Sequence, residues 1–189
     1  MNGAMTLPNL ISTLRIILVP IFIIYLINDK FLEAIAVFIL AGLSDGLDGF
    51  LARLLNQKSR LGTFLDPLAD KFLLVAAFVV LAVRDYIPPS LTVTVITRDI
   101  LILLGVLILF LHKQDIHIKP SILSKITTCS QLATVFLVLI HNQFHLFSVL
   151  ISPTYVLTGV LTIASGLHYM RTWFQMMGEG SPMNRRHGN

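Results

Sequence analysis

Charge is scarce in this chain: Asp, Glu, Lys and Arg together make up 13% of its 189 residues. A soluble domain carries about a quarter, so the polar surface needed to stay in water is missing. Hydrophobic residues supply 55% and the mean hydropathy is +0.81, which reads as a polytopic integral membrane protein, all-α. Cysteine is almost absent too. The single one, Cys129, has no partner in the chain, which excludes a disulfide framework and a cysteine metal site. Lying within an apolar segment, it reads as a buried structural thiol. No Lys or Arg precedes Arg15, so the charged start of a signal peptide is lacking and the first apolar segment is expected to stay in the mature protein. The net charge of +4 comes from scattered residues rather than a basic run. That argues against nucleic acid as a partner and for membrane lipids or phosphate.

Apolar length is what the chain has in excess. A membrane-crossing helix needs about 20 mostly apolar residues, and six segments qualify: 7–27, 31–54, 65–86, 91–111, 121–141 and 145–172. The interruptions are polar: "NDK", "NQKSRLG", "RDYIPPS", "HKQDIHIKPS" and "HNQ". Pro8, Pro89 and Pro120 suit segment starts, whereas Pro20 and Pro153 fall inside segments and are expected to kink them. Residues 1–175 read as one membrane domain and 176–189 as a polar, disordered tail. With six transmembrane helices, one side holds Arg53, Lys58, Arg60, Lys113, Lys119, Arg171, Arg185 and Arg186, and the other little beyond Lys30 and Arg84. The positive-inside rule then places both termini on the cytoplasmic side of a bacterial membrane, or the matrix side of the mitochondrial inner membrane.

Against this background the acidic residues are oddly placed. Four of the eight aspartates, Asp45, Asp48, Asp66 and Asp70, fall within "SDGLDGFLARLLNQKSRLGTFLDPLADK". Asp45 and Asp48 are three apart and Asp66 and Asp70 four apart, so each pair shares one helical face. Gly42, Gly46, Gly49 and Ala52 keep the surroundings of the first pair small. A connection at 55–62 makes the second and third helices antiparallel neighbours, so that all four carboxylates converge. Each aspartate in hydrocarbon costs about 2.5–3.5 kcal/mol, and grouped carboxylates also repel. Divalent cations offset both effects. An all-oxygen set favours Mg²⁺ or Mn²⁺, with Ca²⁺ possible, and two ions could clamp the attacking and leaving oxygens of a phosphoryl transfer. Taken singly, Asp66 before Pro67 reads as a helix-end charge; the four together do not.

The pattern D-x2-D-G-x2-A-R-x8-G-x3-D-x3-D runs without a gap through Asp45, Asp48, Gly49, Ala52, Arg53, Gly62, Asp66 and Asp70. It resembles the signature of the CDP-alcohol phosphatidyltransferases, six-helix membrane enzymes that are usually homodimers, and the resemblance extends over nearly the whole chain. It implies transfer of a phosphatidyl group from CDP-diacylglycerol to an alcohol, releasing CMP. It also implies that Asp45, Asp48 and Asp66 bind two metal ions, with Asp70 sharing that site and acting as the general base. Gly49, Ala52, Arg53 and Gly62 would then shape the donor site. Arg53 alone would equally read as a snorkelling interfacial arginine.

Three further stretches, "LPNLISTLRIILVP", "ITRDILIL" and "KPSILSKITTCSQL", resemble the branch holding the CMP-forming cardiolipin synthases and the phosphatidylglycerophosphate synthases. The acceptor is then an anionic glycerol compound: phosphatidylglycerol or glycerol-3-phosphate. Ser124 stands where the second type is expected to have a glycine, which brings the chain nearer the first. Arg98 and Lys125 interrupt apolar helices and are the candidates for the acceptor phosphate, although Arg98 could instead pair with Asp99, and Lys125 could snorkel. Asn9 and Arg15 are placed at the cavity wall or its entrance. A cation transporter also needs intramembrane aspartates, but nothing after residue 90 echoes the 45–70 cluster. An aspartate-rich prenyl transferase would not need the "DG-x2-AR" core.

Overall fold

The computed structural model describes the backbone of residues 7–55, 60–111 and 121–179, and the side chains of 16–44, 71–105 and 121–173. Its described residues form six helices: α1 (Leu7–Ile27), α2 (Phe31–Leu55), α3 (Arg60–Val83), α4 (Pro89–Leu111), α5 (Ile122–Phe144) and α6 (Ser148–Glu179). Pro89 opens α4, where its missing N–H costs nothing. Ser121 caps α5, its hydroxyl accepting from the Ser124 N–H at 3.1 Å. Asp29, Asp85, His145 and Phe147 adopt left-handed φ angles of 55° to 63° in the short connections, which lets the chain reverse within a few residues.

Two helices differ at both ends from the sequence reading, and α5 runs on to Phe144 rather than 141. The third helix begins at Arg60 rather than 65 and stops at Val83, because the left-handed Asp85 ends it. The sixth starts later, after the left-handed Phe147, and continues to Glu179. Met176 to Glu179 therefore belong to α6 and not to the tail, since Gln175, Met176 and Met177 are good helix formers that extend it; residues 180–189 lie outside the described ones. Pro20 and Pro153 do lie inside α1 and α6.

The core is made by Phe22 and Leu26 of α1, Phe38 and Ala41 of α2, Ala77, Phe78 and Leu81 of α3, Val95 of α4, and Val135, Val138 and Leu139 of α5. Among the described residues α2 and α3 each pack on α1 and α5 rather than chiefly on each other, with Phe22 and Phe38 in ring contact at 5.8 Å. Direct α2–α3 packing, expected from the short connection, is thus not how their described halves are held. α4 packs on α6 and α3.

Polar side chains also sit inside this bundle, and many large apolar ones face outward. Thr127, Gln131, Thr134, Thr158, Thr162 and Ser165 are fully buried, whereas Ile24, Leu40, Val93, Val156 and Val160 face outward. Thr158 bonds the hydroxyls of Ser130 and Thr134 at 2.6 and 2.7 Å, and Gln131 Nε2 donates to Thr162 Oγ1 at 3.3 Å. Hydroxyl and amide bonds of this kind join helices that have no hydrophobic drive to associate in lipid. α5 and α6 are long and apolar enough to cross a membrane; the described apolar stretches of α1, α2 and α3 are shorter. Cys129 is exposed, not buried. It lies two residues from both Thr127 and Gln131 and so points away from the buried stripe of α5.

At one end of the bundle Arg84 forms an ion pair with Asp29, and Tyr86 Oη donates to the same carboxylate at 3.1 Å, joining the connections before α2 and α4. The hydrogen bond from Arg84 holds the Asp29 carboxyl below its usual pKa. Its contribution to stability is complete above the ordinary carboxylate value of about 3.9 and fades as pH falls through the lowered one. The pair is solvent-exposed, so the effect is small. Asp29→Asn is expected to lower the unfolding midpoint slightly at pH 7, with the gap to wild type closing towards pH 3; a gap that widens in acid would contradict this.

Candidate active site

Helix boundaries decide how the aspartate pairs are placed. Asp48 and Asp45 lie seven and ten residues before the end of α2 at Leu55, about 10 and 15 Å along the axis. Asp66 and Asp70 lie six and ten residues after the start of α3 at Arg60, about 9 and 15 Å. Only residues 56–59 separate the two helices, so both pairs belong to one end of the bundle and sit at matching depths. A third helix starting at 65 would have left Asp66 at its first turn. Gly49, Ala52 and Arg53 lie on α2 and Gly62 on α3. The side chains of these four and of the four aspartates fall outside the described ones, as do those of Asn9 and Arg15. At Gly42 an added Cβ would meet nothing within 4 Å, so that part of the small face of α2 is open rather than packed.

Next to Asp70 in the chain, the described side chains form a buried ionic cluster. Lys71 Nζ of α3 lies 2.5 Å from Asp99 Oδ1 of α4, and Arg98 Nη1 donates to the same oxygen at 2.7 Å. Arg98 Nη2 also donates to Ser124 Oγ of α5 at 2.6 Å and to Ser165 Oγ of α6 at 2.9 Å, and its Nε to Ser165 Oγ at 3.3 Å. The guanidinium lies 6.0 Å from the Tyr169 ring centroid. Arg98 and Asp99 are 3% and 4% exposed, and Asp99 Oδ2 has no hydrogen-bond partner among the described residues.

The two acceptor candidates are thus treated differently. Arg98 does pair with Asp99, and four of its five N–H groups are taken up within the protein. Lys125 is exposed at the start of α5. Sequence reasoning did not single out Lys71, Ser124 as an arginine partner, Ser165 or Tyr169. The available signals were a lysine opening the apolar run of α3, and the repeat of small polar residues at Thr158, Thr162 and Ser165 on α6.

A family model for CDP-alcohol phosphatidyltransferase matches residues 5–174. The chain belongs to that family. Among relatives in the family, it is 31% identical over 182 residues to the CDP-diacylglycerol–glycerol-3-phosphate 3-phosphatidyltransferase of Aquifex aeolicus (strain VF5), covering 95% of this chain and 98% of the relative. It is 32% identical over 185 residues to that of Bacillus subtilis (strain 168), covering 88% and 95%. It is 35% identical over 181 residues to the human CMP-forming cardiolipin synthase, covering 87% of this chain and 60% of the relative. The match to the rat cardiolipin synthase likewise spans 60% of that protein's length. The family match extends from α1 into α6 and so takes in both aspartate pairs and the Arg98 cluster.

Proposed function

We propose that this chain transfers a phosphatidyl group from CDP-diacylglycerol to an anionic glycerol-based acceptor, phosphatidylglycerol or glycerol-3-phosphate, and releases CMP. The observation that carries this reading is the depth-matched placement of Asp45 and Asp48 against Asp66 and Asp70 in a chain of this family. Four carboxylates at one end of an apolar bundle would supply an all-oxygen donor set suited to Mg²⁺ or Mn²⁺, and Asp45, Asp48, Asp66 and Asp70 would hold two ions. When bound, the ions neutralise the diphosphate and the charge that develops on the leaving CMP. Asp70 takes the proton of the acceptor hydroxyl. The acceptor oxygen bonds to the phosphorus bearing the diacylglycerol, the diphosphate P–O bond breaks, and CMP leaves with the bridging oxygen. Arg53 presents a planar fork to donor phosphate oxygens, and Gly49, Ala52 and Gly62 leave room for the nucleotide. Lys125, exposed, meets the acceptor phosphate; Arg98 lends its charge from behind the wall.

In this reading all six helices cross the membrane, both termini and the aspartates face the cytoplasm or matrix, and the enzyme is a homodimer. An open groove of about 530 Å³ between α5 and α6 supports phosphatidylglycerol as acceptor. Its walls include Leu123, Ala164, Leu167 and Met170, with His168 and Arg171 beside them, which suits acyl chains and a phosphate. Purified protein in detergent is expected to release CMP from CDP-diacylglycerol with Mg²⁺ or Mn²⁺ when phosphatidylglycerol or glycerol-3-phosphate is supplied, and to stop when EDTA is added. Release with phosphatidylglycerol alone identifies a cardiolipin synthase activity; release with glycerol-3-phosphate alone identifies a phosphatidylglycerophosphate synthase activity. Silence with both acceptors would overturn the reading.

A further inference from the structure

Asp99 is the one buried aspartate among the described residues, and the transfer chemistry leaves it without a role. A single oxygen, Oδ1, accepts from both Lys71 and Arg98, while Oδ2 is buried without a described partner. If cohesion between helices were all that mattered, apolar side chains of similar volume would serve as well or better, because burying ions costs several kcal/mol each. What an ion pair adds is direction. Lys71 follows Asp70 on α3, so the two side chains leave the helix about 100° apart. Tying Lys71 to α4 therefore sets the angle at which Asp70, and Asp66 one turn earlier, leave the axis. Side chains reach about 5–6 Å from a helix axis, so a 20° rotation of α3 displaces them by about 2 Å. Arg98 completes the brace by anchoring the same carboxylate to Ser124 of α5 and Ser165 of α6.

We propose that Asp99 is a positioning residue for the transfer reaction. By holding Lys71 it fixes the rotation of α3, the helix that carries Asp66 and Asp70. This rests on the functional reading above. A 1 Å misplacement of reacting groups costs about a hundredfold in rate, and losing a residue that orients metal ligands costs about 10–100-fold in metal affinity or activity.

The test compares wild type, Asp99→Asn, Lys71→Met, the double variant and Lys71→Arg, all full-length in detergent. Three quantities are followed: CMP release, Mn²⁺ binding by electron paramagnetic resonance, and thermal unfolding. Asp99→Asn and Lys71→Met are each expected to lower kcat at least about tenfold and weaken Mn²⁺ binding about tenfold, with KM for CDP-diacylglycerol within about threefold. The double variant should be no worse than Asp99→Asn alone, because that substitution already removes the link that Lys71→Met breaks. Lys71→Arg, which keeps charge and reach, should recover most of the rate. Should Asp99→Asn fail to fold, the half-buried Lys71→Met carries the comparison. Folded variants with wild-type kcat and Mn²⁺ affinity would overturn the proposal, as would losses that multiply in the double variant. A wild-type chain that releases no CMP would instead remove the functional reading, and this inference with it.

Discussion

Asp70→Asn is expected to lower CMP release by about a thousandfold, within the 10²–10⁴ range typical of general acid–base catalysis, while the protein still folds. The amide keeps the size of the carboxylate but cannot take the acceptor proton. It also removes one charge from the carboxylate group that would hold the ions. A base sited beside like charges and cations has its proton affinity set by all of them, so Asp70→Glu should retain more activity than Asp70→Asn without matching wild type. Asp45→Asn and Asp48→Asn should behave differently, with activity partly recovered at raised Mg²⁺ or Mn²⁺ because ligands rather than the base are weakened. Steady-state CMP release across a metal titration separates the cases. Unchanged release by folded Asp70→Asn would remove its assignment as base.

The second large effect concerns stability. Arg98→Met is expected to destabilise the protein by about 3 kcal/mol, the low end for breaking a buried pair, because Asp99 keeps Lys71 as a counter-ion. For a chain of this size that corresponds to a fall of about 10 °C in the unfolding midpoint. Ser124 and Ser165 lose their shared partner at the same time. Lys125→Met, at an exposed position, should leave the midpoint nearly unchanged and raise KM for the acceptor. Thermal unfolding in detergent, read beside acceptor KM, distinguishes a brace from a ligand. If Arg98→Met raised acceptor KM with no loss of stability, Arg98 would be contacting the acceptor directly and the buried cluster would not be holding the helices.

These expectations draw on different levels of description. That the chain is helical and apolar, and that its acidic residues gather at 45–70, follows from composition and spacing, which act locally along the chain. Helix α1 is bounded as the apolar pattern predicts, at 7–27, because its ends coincide with polar interruptions. The start of α3 was less legible. "RLGTF" carries no strong stop signal, and Gly62 lowers helix propensity without forbidding helix. Cys129 was misread because hydrophobic surroundings in sequence do not say which side of a helix meets lipid.

The sequence by itself determined the all-helical class, the family and the eight residues of its signature, since these depend on residue type and on spacings of three or four along a helix. It also offered both roles for Arg98 without choosing. Only the tertiary structure chose the pairing, by bringing Lys71, Arg98, Asp99, Ser124 and Ser165 together from four helices. The same packing turned the polar stripes of α5 and α6 inward. Arg98 and Asp99 are neighbours on α4, but Lys71, Ser124 and Ser165 reach them from α3, α5 and α6, and those distances are set between helices, not along any one of them.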